Sequence, residues 1–155
     1  MKIEAVGLSR TQLVILLTAL TAMGGIATNI YIPTLPALTE DLGTTKAMAQ
    51  NTMSAYFAGV AIAQLFYGPL SDKYGRRPTL QFGLVLFVLA TALCALAPTI
   101  DLLIWARFAQ AAGACVGQVI MRAVVRDLFD RNETASMMAS ITLAIALAPA
   151  AAPIL

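Results

Sequence analysis

The sequence predicts an all-α polytopic membrane protein, a helical bundle with five transmembrane helices, and three observations carry that prediction. First, 59% of the 155 residues are apolar and only 12% are charged, far from the balance of a water-soluble domain. Second, the apolar residues gather into five runs, at about 12–32, 53–67, 79–97, 102–121 and 137–155. Runs of about 20 residues at about 1.5 Å each match a hydrocarbon core about 30 Å thick. Third, the charges fall between the runs, and their signs alternate from one side to the other. Lys2 and Arg10 precede the first run, Lys73, Arg76 and Arg77 join the second to the third, and Arg126 and Arg131 join the fourth to the fifth. On the other side stands only Lys46, among Glu40, Asp41 and Asp101. The positive-inside rule therefore places the N-terminus and the 68–80 connection in the cytoplasm, in an integral protein of the cell (inner) membrane.

The first run follows two basic residues as a signal peptide would, but it is long, lacks a small-residue exit and leads into further spans, so it reads as a retained helix. Thr18, Thr21, Gly25, Thr28 and Asn29 fall on one stripe of it, within about 100° at 100° per residue. Two readings stand for that stripe: packing between helices, or one wall of a cavity. Pro33 and Pro36 are expected to close or kink the helix at its outer end. The second run carries Ala55, Ala58, Gly59, Ala61 and Ala63, small residues that admit another backbone, with Gln64 as its lone amide. The third is nearly featureless from Leu84 to Leu96, with nothing polar that demands a protein partner, and is expected to face lipid.

In the fourth run Arg107 is the one charge well inside an apolar stretch. Insertion of arginine at mid-bilayer costs about 3 kcal/mol, which makes such a residue a functional-site candidate. The competing reading is snorkelling from a depth of about 9 Å. Gln110, Gln118 and Arg122 share its face, and Gly113 with Gly117 forms a G-x-x-x-G edge beside it. A wet face with a tightly packed flank is expected of a helix that lines an aqueous cavity. The fifth run carries Pro149 and Pro153, each either a bend or a tolerated interruption.

Between the second and third runs lies Gly68-Pro69-Leu70-Ser71-Asp72-Lys73-Tyr74-Gly75-Arg76-Arg77-Pro78-Thr79-Leu80, expected to be a hinge of turn residues reversing the chain. Asp127 falls at the same membrane level, so a charge cluster across helix ends is expected. Its bland counterpart is a solvated loop with surface pairs worth about 0–1 kcal/mol each.

Several classes are set aside on residues alone. There is no histidine, and Cys94 and Cys115 both lie in apolar runs, so neither a disulfide framework nor a metal site is indicated. No nucleic-acid footprint appears. A membrane transferase would cluster acids around divalent ions, whereas Asp72 and Asp127 each adjoin a basic residue. No catalytic residue and no cofactor is expected.

The pattern G-x-x-x-D-K-x-G-R-R at Gly68 to Arg77 resembles the major facilitator superfamily, whose loop between the second and third helices carries that signature. The resemblance implies a bundle with five of an expected twelve spans present, the remaining C-terminal helices lying beyond this chain. It implies that Gly68, Asp72, Lys73, Gly75, Arg76 and Arg77, with Asp127, form a conformational latch. Arg107-Phe108-Ala109-Gln110-Ala111 is similar to the family's R-x-x-Q-G signature, with Ala111 in place of glycine. Tyr31-Ile32-Pro33, Leu65 to Pro69 and Arg122 to Asp127 look like the drug:proton antiporters of the bicyclomycin-resistance (Bcr/CflA) branch. Ala148 to Leu155, with Pro153 matching and Pro149 beside it, is similar to the start of that branch's fifth-helix antiporter motif. By this resemblance the protein exports amphipathic small molecules or drugs in exchange for protons by alternating access, with small-molecule substrate, protons and membrane lipid as partners. The substrate or proton pathway would be lined by Thr21, Thr28, Asn29, Arg107, Gln110 and Gln118. Asn29 replaces the first-helix aspartate usual in that branch, so these spans supply no obvious proton carrier. A metabolite importer and an inactive structural fragment are the alternative readings.

Overall fold

The computed structural model describes residues 9–151, and no strand occurs among them. Helix α1 spans Arg10–Tyr31, followed by a 3₁₀ turn at Ile32–Thr34 and a short α2 at Leu35–Asp41. Four long helices come next, α3 at Lys46–Tyr74, α4 at Arg76–Ala95, α5 at Ile100–Leu128 and α6 at Arg131–Ala151. Four segments among the described residues are long and apolar enough to cross a membrane: Thr11–Asp41, Lys46–Tyr74, Arg76–Ala95 and Ile100–Leu128. The fifth run, at about 137–155, overlaps α6, which begins six residues earlier at Arg131, and the run extends past residue 151. Pro149 lies within α6, and Pro153 lies outside the described residues.

Side-chain caps fix where the helices begin. Ser9 and Gln12 form a reciprocal box, the Gln12 backbone N–H donating to Ser9 Oγ at 3.2 Å and the Ser9 backbone N–H donating to Gln12 Oε1 at 2.9 Å. Thr45 and Thr99 cap α3 and α5, accepting from the backbone N–H groups of Met48 and Leu102 at 3.3 and 3.4 Å. At 29 residues each, α3 and α5 run to about 43 Å and overshoot the hydrocarbon core at one or both ends.

The expected hinge over 68–80 is much shorter than its glycine and proline content suggested. Helix α3 continues through Gly68 and Pro69 to Tyr74, and Gly75 alone lies outside helix before α4 begins at Arg76. Gly75 has φ +96° and ψ 159°, a backbone that side-chain-bearing residues rarely adopt, and its N–H donates to Ser71 O at 3.1 Å. Both prolines fit helix. Pro69 lies near the end of α3, and Pro78 is the third residue of α4, where an N–H would find no intrahelical acceptor. At the other end Pro33 neither stops the chain nor frees it, because the 3₁₀ turn carries it directly into α2.

Helix α5 is the centre of the bundle. Its buried residues run from Leu103 to Val125, while α4 buries only Thr79, Gly83 and Ala90 and leaves Phe82, Val85, Val88 and Leu89 exposed. Small residues let the neighbours approach α5 at backbone distance. A Cβ on Gly113 would fall inside van der Waals contact with the backbone of Phe87 on α4, one on Gly117 would strike the Leu20 carbonyl on α1, and one on Gly59 of α3 would strike the Phe108 carbonyl. The G-x-x-x-G pair thus serves two helices rather than one edge. Leu13, Leu17, Met121, Val125, Met137 and Ile141 join α1, α5 and α6 in one apolar cluster, and Ala63, Tyr67, Cys115, Val116 and Ile120 join α3 to α5 in another.

Gly113→Ala is expected to cost about 1–3 kcal/mol of stability, the usual penalty of overpacking against backbone that cannot yield. Gly25→Ala, with nothing within 4 Å of the added methyl, is expected to be neutral. Thermal unfolding of the purified protein in detergent separates the two, and equal midpoints would show that α4 shifts freely on α5.

Candidate functional site

The Arg107 side chain is 2% exposed and lies between two tyrosine rings, its Cζ 3.9 Å from the centroid of Tyr31 and 4.4 Å from that of Tyr56. Such faces carry the negative lobe of the ring quadrupole, worth about 2 kcal/mol when the cation is desolvated. Nη1 donates to Gln110 Oε1 at 2.6 Å, and Nη2 lies 3.8 Å from Met53 Sδ. Gln110 Nε2 in turn donates to Thr91 Oγ1 at 2.9 Å, and Thr91 donates to the Phe87 carbonyl at 2.7 Å. The rings are tied as well. Tyr31 and Thr52 share a hydroxyl hydrogen bond of 2.6 Å, Thr52 donates to Ala49 O at 2.6 Å, and Tyr56 donates to Gly24 O at 3.0 Å. Three helices therefore meet at the guanidinium, α1 through Tyr31, α3 through Tyr56 and Met53, and α5 through Gln110, with α4 supporting Gln110 through Thr91.

Two features of this cage bear on chemistry. No carboxylate pairs with Arg107 among the described residues, whose ion pairs all belong to Arg76. Its Nε is buried and has no hydrogen-bond partner among those residues. Of the two readings open for Arg107, snorkelling does not describe a side chain enclosed in this way.

Beside the cage, Gly24, Thr28, Asn29, Phe57, Cys115 and Gln118 line a pocket of about 260 Å³ between α1, α3 and α5. Tyr56 is the wall common to both, since its ring stacks on Arg107 and it also lines the pocket. Gln118 Oε1 accepts from Gln64 Nε2 at 3.4 Å. The polar stripe of α1 is divided. Thr28 and Asn29 reach this pocket, whereas Thr21 is buried and does not line it, although both threonines donate to a carbonyl of their own helix, Thr21 to Leu17 O at 2.7 Å and Thr28 to Gly24 O at 2.9 Å.

A second cluster lies at the end of the bundle that carries Gly75. Arg76 Nη1 meets Asp72 Oδ1 at 2.6 Å and its Nε meets Asp127 Oδ2 at 3.2 Å, joining the ends of α3, α4 and α5. Nη1 also donates to the hydroxyl of Ser71, a buried residue whose own proton goes to Gly68 O at 3.0 Å. A polar cavity of about 380 Å³ opens there, lined by Gln64, Gly68, Asp72, Arg122, Arg126 and Asp127 among others. Arg122 belongs to this cavity and not to the Arg107 cage. Lys73 and Arg77, expected to join the cluster, are exposed and form no ion pair among the described residues. Helix geometry explains this, because Asp72 lies one turn before Arg76 while its neighbour Lys73 projects about 100° away.

Residues 17–155 match the Major Facilitator Superfamily model. The chain belongs to the Major Facilitator Superfamily. Its curated relatives in the superfamily include an uncharacterized MFS-type transporter, YdgK, of Bacillus subtilis (strain 168), 37% identical over 95% of this chain and 37% of the relative. Multidrug resistance protein D of Escherichia coli (strain K12) is 35% identical over 93% of this chain and 36% of the relative. Multidrug resistance protein MdtL of Shewanella oneidensis is 35% identical over 82% of this chain and 32% of the relative. The chain thus spans about a third of the length of these relatives. Superfamily membership and the long apolar helices make it an integral membrane protein of a transporter family.

Sequence reasoning found Arg107 and Gln110 but missed Tyr31, Tyr56, Met53 and Thr91, which complete the cage, and Ser71, which completes the Arg76 cluster. A phenol inside a run of small residues, as Tyr56 is between Ala55 and Ala58, was the available signal.

Gln110→Leu removes the acceptor for a charged donor and is expected to cost about 1.5–3 kcal/mol, against about 0.5–1.5 kcal/mol for Thr91→Val, which leaves that acceptor in place. Chemical unfolding in micelles measures both, and a costlier Thr91→Val would displace Gln110 as the main polar support of Arg107.

Proposed function

We propose that the complete protein is a secondary active transporter of the Bcr/CflA type, exporting amphipathic small molecules or drugs in exchange for protons by alternating access. The observation that carries this reading is the Arg107 cage, a permanent positive charge inside the bundle solvated only by neutral groups. Arginine does not titrate at working pH, so it holds a proton-carrying carboxylate or a substrate acceptor rather than carrying the proton itself. Its unpartnered Nε is the donor left for that purpose. The multidrug resistance names of two relatives support the drug-export part, and the pocket beside the cage, with Phe57 and Tyr56 against Thr28, Asn29 and Gln118, offers aromatic and neutral polar surface to an amphipathic molecule.

In this reading the Gly75 end is cytoplasmic and the membrane is the inner one, supported by Lys73, Arg76, Arg77 and Arg126 at that end against Glu40, Asp41 and Asp101 at the other. Arg76, bound to Asp72 and Asp127, is the latch that biases one conformation, with Gly75 setting its position. Bundles of this kind rock around a site near the midplane. The proline-bearing part of α6, with the chain beyond it, would supply the antiporter element.

Drug efflux driven by a pH gradient, measured with the complete protein in proteoliposomes, tests the reading. Asp72→Asn is expected to slow transport several-fold with membrane insertion intact. Arg107→Ala is expected to abolish it, and Arg107→Lys to restore only part, because lysine has neither the planar fork nor its stacking face. Transport at the original rate in both Arg107 variants would refute the role of the cage, and gradient-independent efflux would refute proton exchange.

A further inference from the structure

Helices α3 and α4 both lean on α5, and between them an apolar crevice of about 270 Å³ remains open on the outer surface of the bundle. Gly59 and Ala63 of α3 and Phe108 and Ala112 of α5 are among the residues that line it. Phe66 and Phe82, which also line it from α3 and α4, are 67% and 60% exposed. Another transmembrane helix would fit poorly here. Helices associate in lipid through small residues that let backbones meet, whereas large phenyl groups line this opening. A flexible chain one methylene wide suits it better.

The α3 side of the crevice is a single helical stripe, Ile62, Phe66 and Leu70 among its members, and at about 100° per residue the same stripe continues to Lys73, within about 20° of Ile62 and Phe66. The distance along the axis is also apt. Eleven residues separate Ile62 from Lys73, about 16 Å, against about 15 Å for one leaflet of the hydrocarbon core. An ammonium group therefore stands just past the Leu70 end of the crevice, about one leaflet's depth along α3 from Ile62. Lys73 is exposed and makes no ion pair among the described residues, because its neighbour Asp72 is held by Arg76, and its Nζ lies 5.2 Å from the centroid of the Tyr74 ring. Arg77, also exposed, is unpaired among those residues as well.

We propose that this crevice is a binding site for one anionic phospholipid, with an acyl chain lying between Phe66 and Phe82 against the α5 face and the phosphate held by Lys73. The apolar floor selects a chain and the unpaired cations select negative charge. The site is separate from the Arg107 cage and does not depend on what the protein transports.

Native mass spectrometry of the complete protein, released from nanodiscs of equal phosphatidylglycerol and phosphatidylcholine with matched acyl chains, tests it. Retained phosphatidylglycerol is expected to exceed phosphatidylcholine, and Lys73→Gln is expected to lower the ratio of retained phosphatidylglycerol to phosphatidylcholine about fivefold, the weight of one basic residue at an anionic surface. Ile62→Trp, at a lipid-exposed position of the crevice, is expected to lower retention of both lipids by filling the groove. Equal retention of the two lipids by the unmodified protein, or a preference that survives Lys73→Gln, would overturn the headgroup assignment. Retention untouched by Ile62→Trp would overturn the acyl-chain site.

Discussion

A guanidinium that does not reach water must be solvated by the protein around it, and that requirement organises the end of this bundle that carries Tyr31. Placing arginine at mid-bilayer costs about 3 kcal/mol on insertion scales, and a desolvated cation over an aromatic face recovers about 2 kcal/mol. Two faces, those of Tyr31 and Tyr56, are therefore of the size needed, with the Gln110 carbonyl completing the shell. Each ring has to be held in turn. Tyr31 is tied to Thr52 and Tyr56 to the Gly24 carbonyl, so the charge on α5 fixes where α1 and α3 lie relative to each other.

That polar shell works only because the helices are already close. Lipid tails are as apolar as leucine, so in the hydrocarbon region contact between helices rests on dispersion and fit rather than on expulsion of water. Gly59, Gly83, Gly113 and Gly117 each lack a Cβ where one would collide with a neighbouring helix. The consequence is that α3, α4 and α5 pack at backbone distance, and Thr91 on an otherwise lipid-facing α4 comes within reach of Gln110. A helix with little polar through its middle acquires a place in the site by register alone.

The run lengths and charge placement were enough to read the helices from sequence, because hydropathy over about 20 residues is a strong signal. What they could not convey was the rotation of each helix. Thr21 and Thr28 share a stripe and each donates its hydroxyl to a carbonyl one turn back on its own helix, yet only Thr28 lines the pocket, and Thr21, two turns away, is packed between helices. Arg122 shares a face with Arg107 on α5, yet α5 is long enough that the two belong to opposite ends of the bundle. The glycine and proline content of 68–80 pointed to a loop, and both prolines instead lie within helix, Pro78 in a first turn where no N–H is needed and Pro69 in the interior of α3 at the loss of one i→i−4 hydrogen bond, leaving Gly75 to make the whole reversal. The tyrosine cage was least legible, since its members are separated by 25 residues of sequence between Tyr31 and Tyr56 and by 51 between Tyr56 and Arg107.

The cage and the Arg76 cluster lie at different levels of the same pair of helices. Arg107 and Asp127 are 20 residues apart on α5, about 30 Å, while Tyr56 and Asp72 are 16 apart on α3, about 24 Å. Between those levels the two helices are joined by the Gly59 contact and by the cluster of Ala63, Tyr67, Cys115, Val116 and Ile120. A packed interface of this kind resists sliding, because each small step would lose contacts before regaining them. The ion pairs of Arg76 therefore connect helices that are already packed together along their length, and breaking them would not by itself separate α3 from α5. Their effect falls on the surface of the packed helices instead, where neutralised Asp72 and Asp127 stand beside the unpaired Lys73 and Arg77. Any rocking in which this chain takes part is then a displacement of the whole unit against its surroundings, with the Arg107 cage and the Arg76 cluster carried at its two levels.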